Sequence, residues 1–331
     1  LKVLVDYLKR VLDKYVDEKD WKWKTFPEYL GYLEGRVGIN VAALMPHSPV
    51  RLTLMGEDAY KREARPEELE AMKKVVREGL EVGAIGFSSS PRGGPAVHAG
   101  TPSTFATQDE IVELANLAAE YGGCFQFNGF GNLLKPESGF PDMVEKVRAL
   151  MIGNEFRLRP GEKDDGPRAM TLMQEATKRG KEIMGVVIPY QHIWRFALKD
   201  CVIFSGLPTW EAIRQESENI GARLAERATR AKLLEERVAG TGKPLLPEWL
   251  GWGNVYFEKP ATDALKTLQG KTVKEIAGMT GKAEADAFFD TWLQEDLRSQ
   301  WLYVGHANGH LDILARMIKS STSLIGSDAG A

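Results

Sequence analysis

The stretch Ser323-Leu-Ile-Gly-Ser-Asp-Ala-Gly-Ala331 decides the predicted fold. In it, Leu324 and Ile325 run into Gly326-Ser327-Asp328, the pattern of a short buried strand that carries one carboxylate at its C-terminal end. In a (β/α)8 barrel, catalytic residues lie at that end of the strands. The alternative is an ordinary turn, because Asp, Ser and Gly all favour turns.

The composition is that of an ordinary globular protein. The chain has 331 residues, of which 43% are hydrophobic and 27% charged, with a net charge of −3. This length allows one large α/β domain or two smaller ones. There is no basic excess for nucleic acid and no apolar run of about 20 residues for a membrane, so neither partner is expected. Cys124 and Cys201 lie in apolar runs and are expected to be buried thiols of a cytoplasmic protein.

Strand-like and helix-like segments alternate outward from this stretch. Strands are predicted for Val37–Met45, Ala84–Ser88, Gly123–Asn128 and Glu182–Ile188, and helices for residues 1–18, Pro66–Val82, Thr107–Tyr121 and 168–179. This order predicts a parallel sheet with crossover helices, and hence an incomplete (β/α)8 barrel. Residues 133–165 have only a weak strand signal. We expect barrel in 1–204, a mostly helical insertion or lid in 205–300, and the last strand in 301–331.

Several segments, taken in order, resemble one family. They are Trp23-Lys-Thr-Phe-Pro-Glu-Tyr-Leu30, Asn40-Val-Ala-Ala-Leu44, Pro46-His47 with Arg51, Gly83-Ala-Ile-Gly-Phe-Ser-Ser89, Gly270-Lys-Thr-Val-Lys-Glu-Ile276, Glu295-Asp-Leu-Arg298 and Ser323–Ala331. This series resembles the N-acyl-D-amino-acid deacylases of the amidohydrolase superfamily. The resemblance implies a barrel with one or two divalent metals, usually zinc, and a metal-activated water that attacks an amide carbonyl. It also implies that Asp328 is the catalytic base and a metal ligand.

The chain also departs from the family pattern. The family's first-strand His-x-His would lie before Leu1, so we expect this chain to be incomplete at both ends. The fifth strand of the family ends in a histidine ligand, whereas this chain has Gln126 or Asn128 there. Asn128 is therefore the second expected metal position, although Asn and Gln are poor zinc ligands beside His or Cys.

Other candidate site residues follow the predicted strands. We expect substrate contacts from His47, Arg51, Ser89, His98, Tyr190 and His192. For the histidines, packing within a loop is the alternative. His306 and His310 have the i, i+4 spacing of paired ligands, but the surrounding glycines favour surface or capping roles. The serines at 88–90 lack a Gly-x-Ser-x-Gly context, so a serine nucleophile is not expected.

The expected function is metal-dependent hydrolysis of a non-peptide C–N amide bond, with N-acyl-D-amino acids as substrates. The 331-residue chain alone is expected to be inactive, because it holds too few of the roughly three protein ligands that a catalytic zinc needs. Two alternatives stay open. One is a barrel relative that has lost metal chemistry and binds a small molecule. The other is a cyclic-amide hydrolase of the same superfamily.

Overall fold

The computed structural model describes residues 22–91, 100–128, 134–135, 138–156, 164–191, 193–197, 201, 203–204, 207–216, 219–239, 251–304 and 310–326. They form two compact units, one from residues within 22–189 and 310–326 and the other from residues within 190–304. The helix predicted for residues 1–18 lies outside the described ranges. No helix within those ranges is long and apolar enough to cross a membrane.

Helices and strands alternate along the first unit. The strands of the described residues are β1 (Met45–Pro46), β2 (Gly86–Ser89), β3 (Cys124–Phe127), β4 (Leu150–Phe156), β5 (Ile183–Val187), β6 (Ile193–Phe196), β7 (Val255–Lys259), β8 (Gln300–Val304) and β9 (Ser323–Ile325). The α-helices are α1 (Phe26–Leu33), α2 (His47–Met55), α3 (Pro66–Glu81), α4 (Gln108–Glu120), α5 (Phe140–Lys146), α6 (Asp165–Lys178), α7 (Pro208–Gln215), α8 (Ile220–Ala225), α9 (Arg227–Val238), α10 (Val273–Thr280), α11 (Glu284–Gln294) and α12 (Leu311–Ile318).

The first unit is built on a parallel sheet. Its six strands have the order β1-β2-β3-β4-β5-β9, and every neighbouring pair is parallel. The predicted parallel α/β fold is therefore confirmed, and the quoted C-terminal stretch does supply a strand, β9, beside β5. The predicted set of strands lacked one member, β4, which lies between β3 and β5. This strand was missed because the strand signal of residues 133–165 is weak: Gly153 and Asn154 interrupt its apolar run.

A stack of phenylalanines and one close backbone approach hold β2 against β3. The side chains of Phe87, Phe125 and Phe127 are buried, and their ring centroids are 6.0 and 5.8 Å apart in sequence order. Burial of each such ring stabilises the fold by about 1.5–3 kcal/mol. Gly86 is required beside them, because an added Cβ would overlap the backbone oxygen of Cys124. The two strands therefore lie in a fixed register, with Ser88 opposite Gln126.

The segment before α2 differs from the prediction. A buried strand was expected over Val37–Met45, but only Met45–Pro46 joins the sheet. Ile39 is 77% exposed, so the apolar residues of this segment lack the packing that would hold a strand. Directly after β1, α2 begins at His47 and has Pro49 in its first turn. Proline is tolerated there because the first turn of a helix needs no N–H donor from it.

The second unit has its own sheet and core. Strands β6, β8 and β7 form an antiparallel three-stranded sheet in that order. Around it lie α7 to α11, and the fully buried Trp210, Trp292 and Trp301 belong to its core. The sequence indicated the helices of 205–300 but not this sheet, and the structural division falls at 190 and 309. No described strand of this unit joins the parallel sheet. Its role as a lid stays a prediction.

A buried carboxylate explains one of the family-like segments. Glu295 is fully buried and accepts hydrogen bonds from the backbone N–H groups of Ala261 and Thr262 and from the Thr262 hydroxyl. The next two residues, Asp296 and Leu297, have φ values of 51° and 59°, which non-glycine residues adopt rarely. The Glu295–Arg298 segment therefore ends α11 with a tight turn pinned by Glu295.

Candidate functional site

The carboxyl ends of β1, β2 and β3 border a cleft of about 150 Å³. Parallel strands bring these ends to one edge of the sheet, which is where ligand sites of such folds lie. The cleft is lined by Pro46, His47, Ser48, Pro49, Ser88, Ser89, Ser90, Ser103, Gln126, Phe127 and Asn128. Apart from the histidine, these residues carry no ionisable side chain. The polar part of the wall is therefore made of hydroxyl and amide groups, beside the apolar Pro46, Pro49 and Phe127.

His47 is the central side chain of this edge. It is the first residue of α2, directly after β1, and is 1% exposed. Its Nδ1 lies 2.8 Å from the Ser89 hydroxyl oxygen, and its Nε2 lies 2.8 Å from Oε1 of Glu110. Because a carboxylate only accepts hydrogen bonds, Nε2 carries the proton of the neutral ring and Nδ1 accepts from Ser89.

A buried ion pair stands behind the histidine. The Arg51 guanidinium donates to the same Glu110 oxygen at 2.5 Å and to the backbone oxygen of Arg62 at 2.8 Å. The side chains of Arg51 and Glu110 are 0% and 2% exposed. The Nε of Arg51 has no hydrogen-bond partner among the described residues. Glu110 therefore balances a cation that water does not reach.

The electrostatics of this cluster keep the imidazole neutral. Burial lowers the pKa of His47, and Arg51 lowers it further, against the opposing effect of Glu110. Burial alone would raise the pKa of Glu110, but its contacts with His47 and Arg51 outweigh that effect and the pKa is lowered. At neutral pH the cluster is thus a carboxylate, a guanidinium and an uncharged imidazole with a free base nitrogen facing Ser89.

Amide groups form the other side of the cleft. The Asn128 side chain donates to the Ser90 hydroxyl at 3.1 Å and accepts from the Asn154 amide at 3.2 Å. Its backbone N–H bonds the Ser89 carbonyl at 3.2 Å. Asn154 lies on β4, the strand that was not predicted from the sequence. Side-chain hydrogen bonds therefore link Ser90, Asn128 and Asn154 at the ends of three adjacent strands. Asn128 keeps one N–H and one lone pair for a ligand.

The predicted site residues meet only in part. His47, Ser89 and Asn128 border the same cleft. Arg51 does not line it, because its side chain is fully buried against Glu110. Tyr190 is 44% exposed and belongs to the second unit. Asp328, His98 and His192 lie outside the described residues.

Glu110 is a site residue that the sequence prediction missed. It follows the N-cap Thr107 in the first turn of α4, where acidic residues are common for dipole reasons. A stronger signal was present, since Glu110 stands four residues before Leu114 and seven before Leu117, on the apolar stripe of the helix. A carboxylate on a buried stripe needs a partner, and that requirement points to Arg51 and His47.

The described part of the cleft does not fit a zinc ion. Among the described residues no group of three His, Cys, Asp or Glu side chains could hold a metal. Both ring nitrogens of His47 are engaged, and Gln126 and Asn128 offer only neutral amide oxygens. Such oxygens are poor zinc ligands. The expected metal role of Asn128 therefore has no second donor from the described strand ends.

Several solved structures of D-aminoacylases and of an N-acyl-D-glutamate deacylase share this fold. The chain matches the crystal structure of D-aminoacylase, which defines a novel subset of amidohydrolases, with a TM-score of 0.52 and 18% identity over 94% of this chain and 53% of that one. N-acyl-D-glutamate deacylase of Bordetella bronchiseptica, solved with zinc and a phosphonate inhibitor, matches with a TM-score of 0.53 and 18% identity over 92% and 51%. A further D-aminoacylase structure concerns a binuclear metal centre.

Sequence similarity points to the same proteins. D-aminoacylase of Alcaligenes xylosoxydans xylosoxydans is 29% identical over 115 residues, which is 34% of this chain and 22% of that protein. N-acyl-D-glutamate deacylase of the same organism is 39% identical over 95 residues, or 28% and 18%. No protein-family model matches. The chain is a relative of the D-aminoacylases and N-acyl-D-glutamate deacylases of the amidohydrolase superfamily, and it spans about half the length of the solved relatives.

Proposed function

We propose that the whole protein is an amidohydrolase that cleaves a non-peptide C–N bond, with N-acyl-D-amino acids as its substrate class. The observation that carries the proposal is the gathering of His47, Ser89 and Asn128 at the carboxyl edge of the parallel sheet, where this fold builds its site. The proposed substrate class is taken from the relatives, which are a D-aminoacylase and an N-acyl-D-glutamate deacylase.

This chain would contribute the wall that holds the acyl-amino acid. The free N–H and lone pair of Asn128 match the carbonyl and N–H of a secondary amide. The Ser89 hydroxyl donates to His47, so its remaining lone pairs can only accept. A ligand N–H is therefore the group that suits Ser89. These contacts position an amide without contributing charge.

The metal and the general base would come from residues outside those described, and Asp328 is the proposed base. We expect the 331-residue chain alone to release no amino acid. The whole protein should do so, and Asp328→Asn should lower its turnover by at least about 100-fold, because a general base contributes on this scale. The matched control is Asp312→Asn, an exposed aspartate in the first turn of α12.

The assay is release of free amino acid from N-acetyl-D-amino acids, with bound metal measured on the same samples. Full turnover by Asp328→Asn would remove that residue from the mechanism. Metal-dependent turnover by the 331-residue chain would refute the proposal that this chain alone is inactive. A small-molecule binding protein is the second candidate, favoured by the neutral amides of Gln126 and Asn128 at the strand end, which are poor zinc ligands. Saturable binding of an N-acyl amino acid by the whole protein, without product, would support it.

A further inference from the structure

Three side chains form a hydrogen-bonded series that ends at the cleft. Glu110 holds Nε2 of His47 at 2.8 Å, and Nδ1 of the same ring lies 2.8 Å from the Ser89 hydroxyl oxygen. A hydroxyl within reach of a base that is itself oriented by a third group is the arrangement of an activated nucleophile. The proposed hydrolysis of N-acyl amino acids gives Ser89 no such role.

The protonation states favour proton transfer from Ser89. Since Glu110 fixes the proton of the neutral ring on Nε2, Nδ1 is the free base and faces the hydroxyl. The two ring nitrogens are used in the opposite order to that of the Ser-His-Asp protease triad, but either imidazole nitrogen can accept a proton. Arg51 shares the Glu110 carboxylate and so weakens its support of an imidazolium, which keeps the base in its reactive form at neutral pH.

We propose that Ser89, His47 and Glu110 form a nucleophilic site that takes acyl and phosphoryl groups from small electrophiles. In the acyl step, the Ser89 oxygen bonds to the carbonyl carbon while its proton passes to Nδ1 of His47. The tetrahedral adduct then expels the alkoxide or amine, which takes that proton from Nδ1. Water repeats the sequence on the acyl-serine, releases the acid and restores the hydroxyl, so no cofactor is consumed. In the phosphoryl step, the Ser89 oxygen bonds to phosphorus, its proton passes to Nδ1 of His47, and the leaving group, fluoride in the case of a fluorophosphate, departs as the P–F bond breaks; the proton on Nδ1 then returns to solvent.

The surroundings of Ser89 suit a small ligand and developing negative charge. Ser89 is 6% exposed and lines the cleft, which has a volume of about 150 Å³. The first turn of α2 also borders the cleft through Pro46–Pro49. The positive end of a nine-residue helix therefore lies beside the place where an oxyanion would form. Glu110 acts only through His47 and is a positioning residue.

The test uses diisopropyl fluorophosphate and p-nitrophenyl acetate on the full chain in the presence of EDTA, so that metal-dependent turnover does not contribute. Intact mass and peptide mapping should find one phosphoryl adduct, on Ser89. Ser89→Ala should abolish it, whereas Ser320→Ala, at a half-buried serine that does not line the cleft, should leave it unchanged. His47→Gln should slow labelling by at least about 100-fold. Circular dichroism checks that each variant is folded.

The pH dependence of the wild-type reaction needs no variant. With His47 as base, the labelling rate should rise through one ionisation below the ordinary imidazole value and stay level from pH 7 to 8.5, because burial and Arg51 lower the pKa of His47. An unassisted serine would instead react about tenfold faster with each pH unit. That proportionality, an adduct that persists in Ser89→Ala, or the lack of any adduct on Ser89 would each overturn the proposal. Amino-acid release by the whole protein is a separate readout and tests only the proposed function.

Discussion

Replacing Glu110 by glutamine should destabilise the first unit far more than its small change in shape suggests. Its carboxylate is 2% exposed and bonds both His47 and Arg51, and the Arg51 side chain is completely buried. Glutamine keeps the size and one acceptor oxygen but removes the negative charge. The variant therefore leaves a buried guanidinium whose Nε already has no partner among the described residues.

The magnitude follows from the burial of both partners. Breaking a buried ion pair from one side costs about 3–5 kcal/mol, because the remaining charge cannot return to water. Whole domains have a stability of only about 5–15 kcal/mol, so this loss is a large share. An exposed pair is worth about 0–1 kcal/mol instead. Asp109 is the matched control, because it precedes Glu110 in the same helical turn and its pair with Lys146 is mostly exposed.

Urea unfolding followed by circular dichroism should separate the two variants. Glu110→Gln should lower the midpoint by more than about 1 M, whereas Asp109→Asn should change it little. Tryptophan fluorescence is less suitable, since Trp210, Trp292 and Trp301 all belong to the second unit. Hydrogen exchange of peptides from α2 and β2 should increase in Glu110→Gln alone. Equal midpoints for the two variants would refute the account of a buried, charge-balanced cluster.

Three further results are expected. Stability should fall as pH drops below about 6.5, because burial lowers the pKa of His47 and only the unfolded chain then takes up a proton at this residue. His47→Gln should reduce this dependence of stability on pH, which urea titrations at pH 7 and pH 5 would measure. Gly86→Ala should lower the free energy of unfolding by about 3 kcal/mol or more, because the added Cβ would overlap the backbone of Cys124. Gly180→Ala, where the space is open but φ is +82°, should lower it by only about 1 kcal/mol. Similar melting temperatures for the two variants would contradict this. Glu295→Gln should lower the free energy of unfolding by about 2–4 kcal/mol, since the buried carboxylate accepts three hydrogen bonds. Unfolding followed by tryptophan fluorescence would measure this, and a loss under about 0.5 kcal/mol would show that these hydrogen bonds are replaceable.

The sequence was informative wherever local signals and burial agree. Helix α3 has proline and two glutamates at its start and an apolar stripe, and it was predicted within one residue. Strand β9 was read from three residues, because an apolar pair followed by Gly326 is typical of a strand end. The prediction failed at Val37–Met45, where an apolar composition is not matched by packing. It also failed at β4, where Gly153 and Asn154 interrupt the pattern but neighbouring strands hold the segment in the sheet.

The site could be predicted only as far as strand order allows. His47, Ser89 and Asn128 follow strands, and parallel pairing brings strand ends together, so their shared cleft followed from the fold. Pairwise chemistry could not be foreseen, because Glu110 approaches from a helix 63 residues away in sequence. Arg51 has the residue type of a substrate clamp, yet the structure uses its charge internally. Which role a buried arginine takes depends on the helix that packs against it.

Charge is distributed unequally between the cleft and the layer behind it. The wall facing the cleft is neutral, whereas the carboxylate and guanidinium of this edge are buried behind His47. A wall of this kind can hold an amide or ester by hydrogen bonds, but it offers zinc only hydroxyl and amide oxygens, which are poor ligands beside His or Cys. His47 is the element that couples the two layers, since one nitrogen faces Glu110 and the other faces Ser89. Transfer of the Ser89 proton to His47 would therefore change the electrostatic interaction of the ring with the buried ion pair. Conversely, a substitution at that pair should alter the basicity of the His47 nitrogen that faces Ser89.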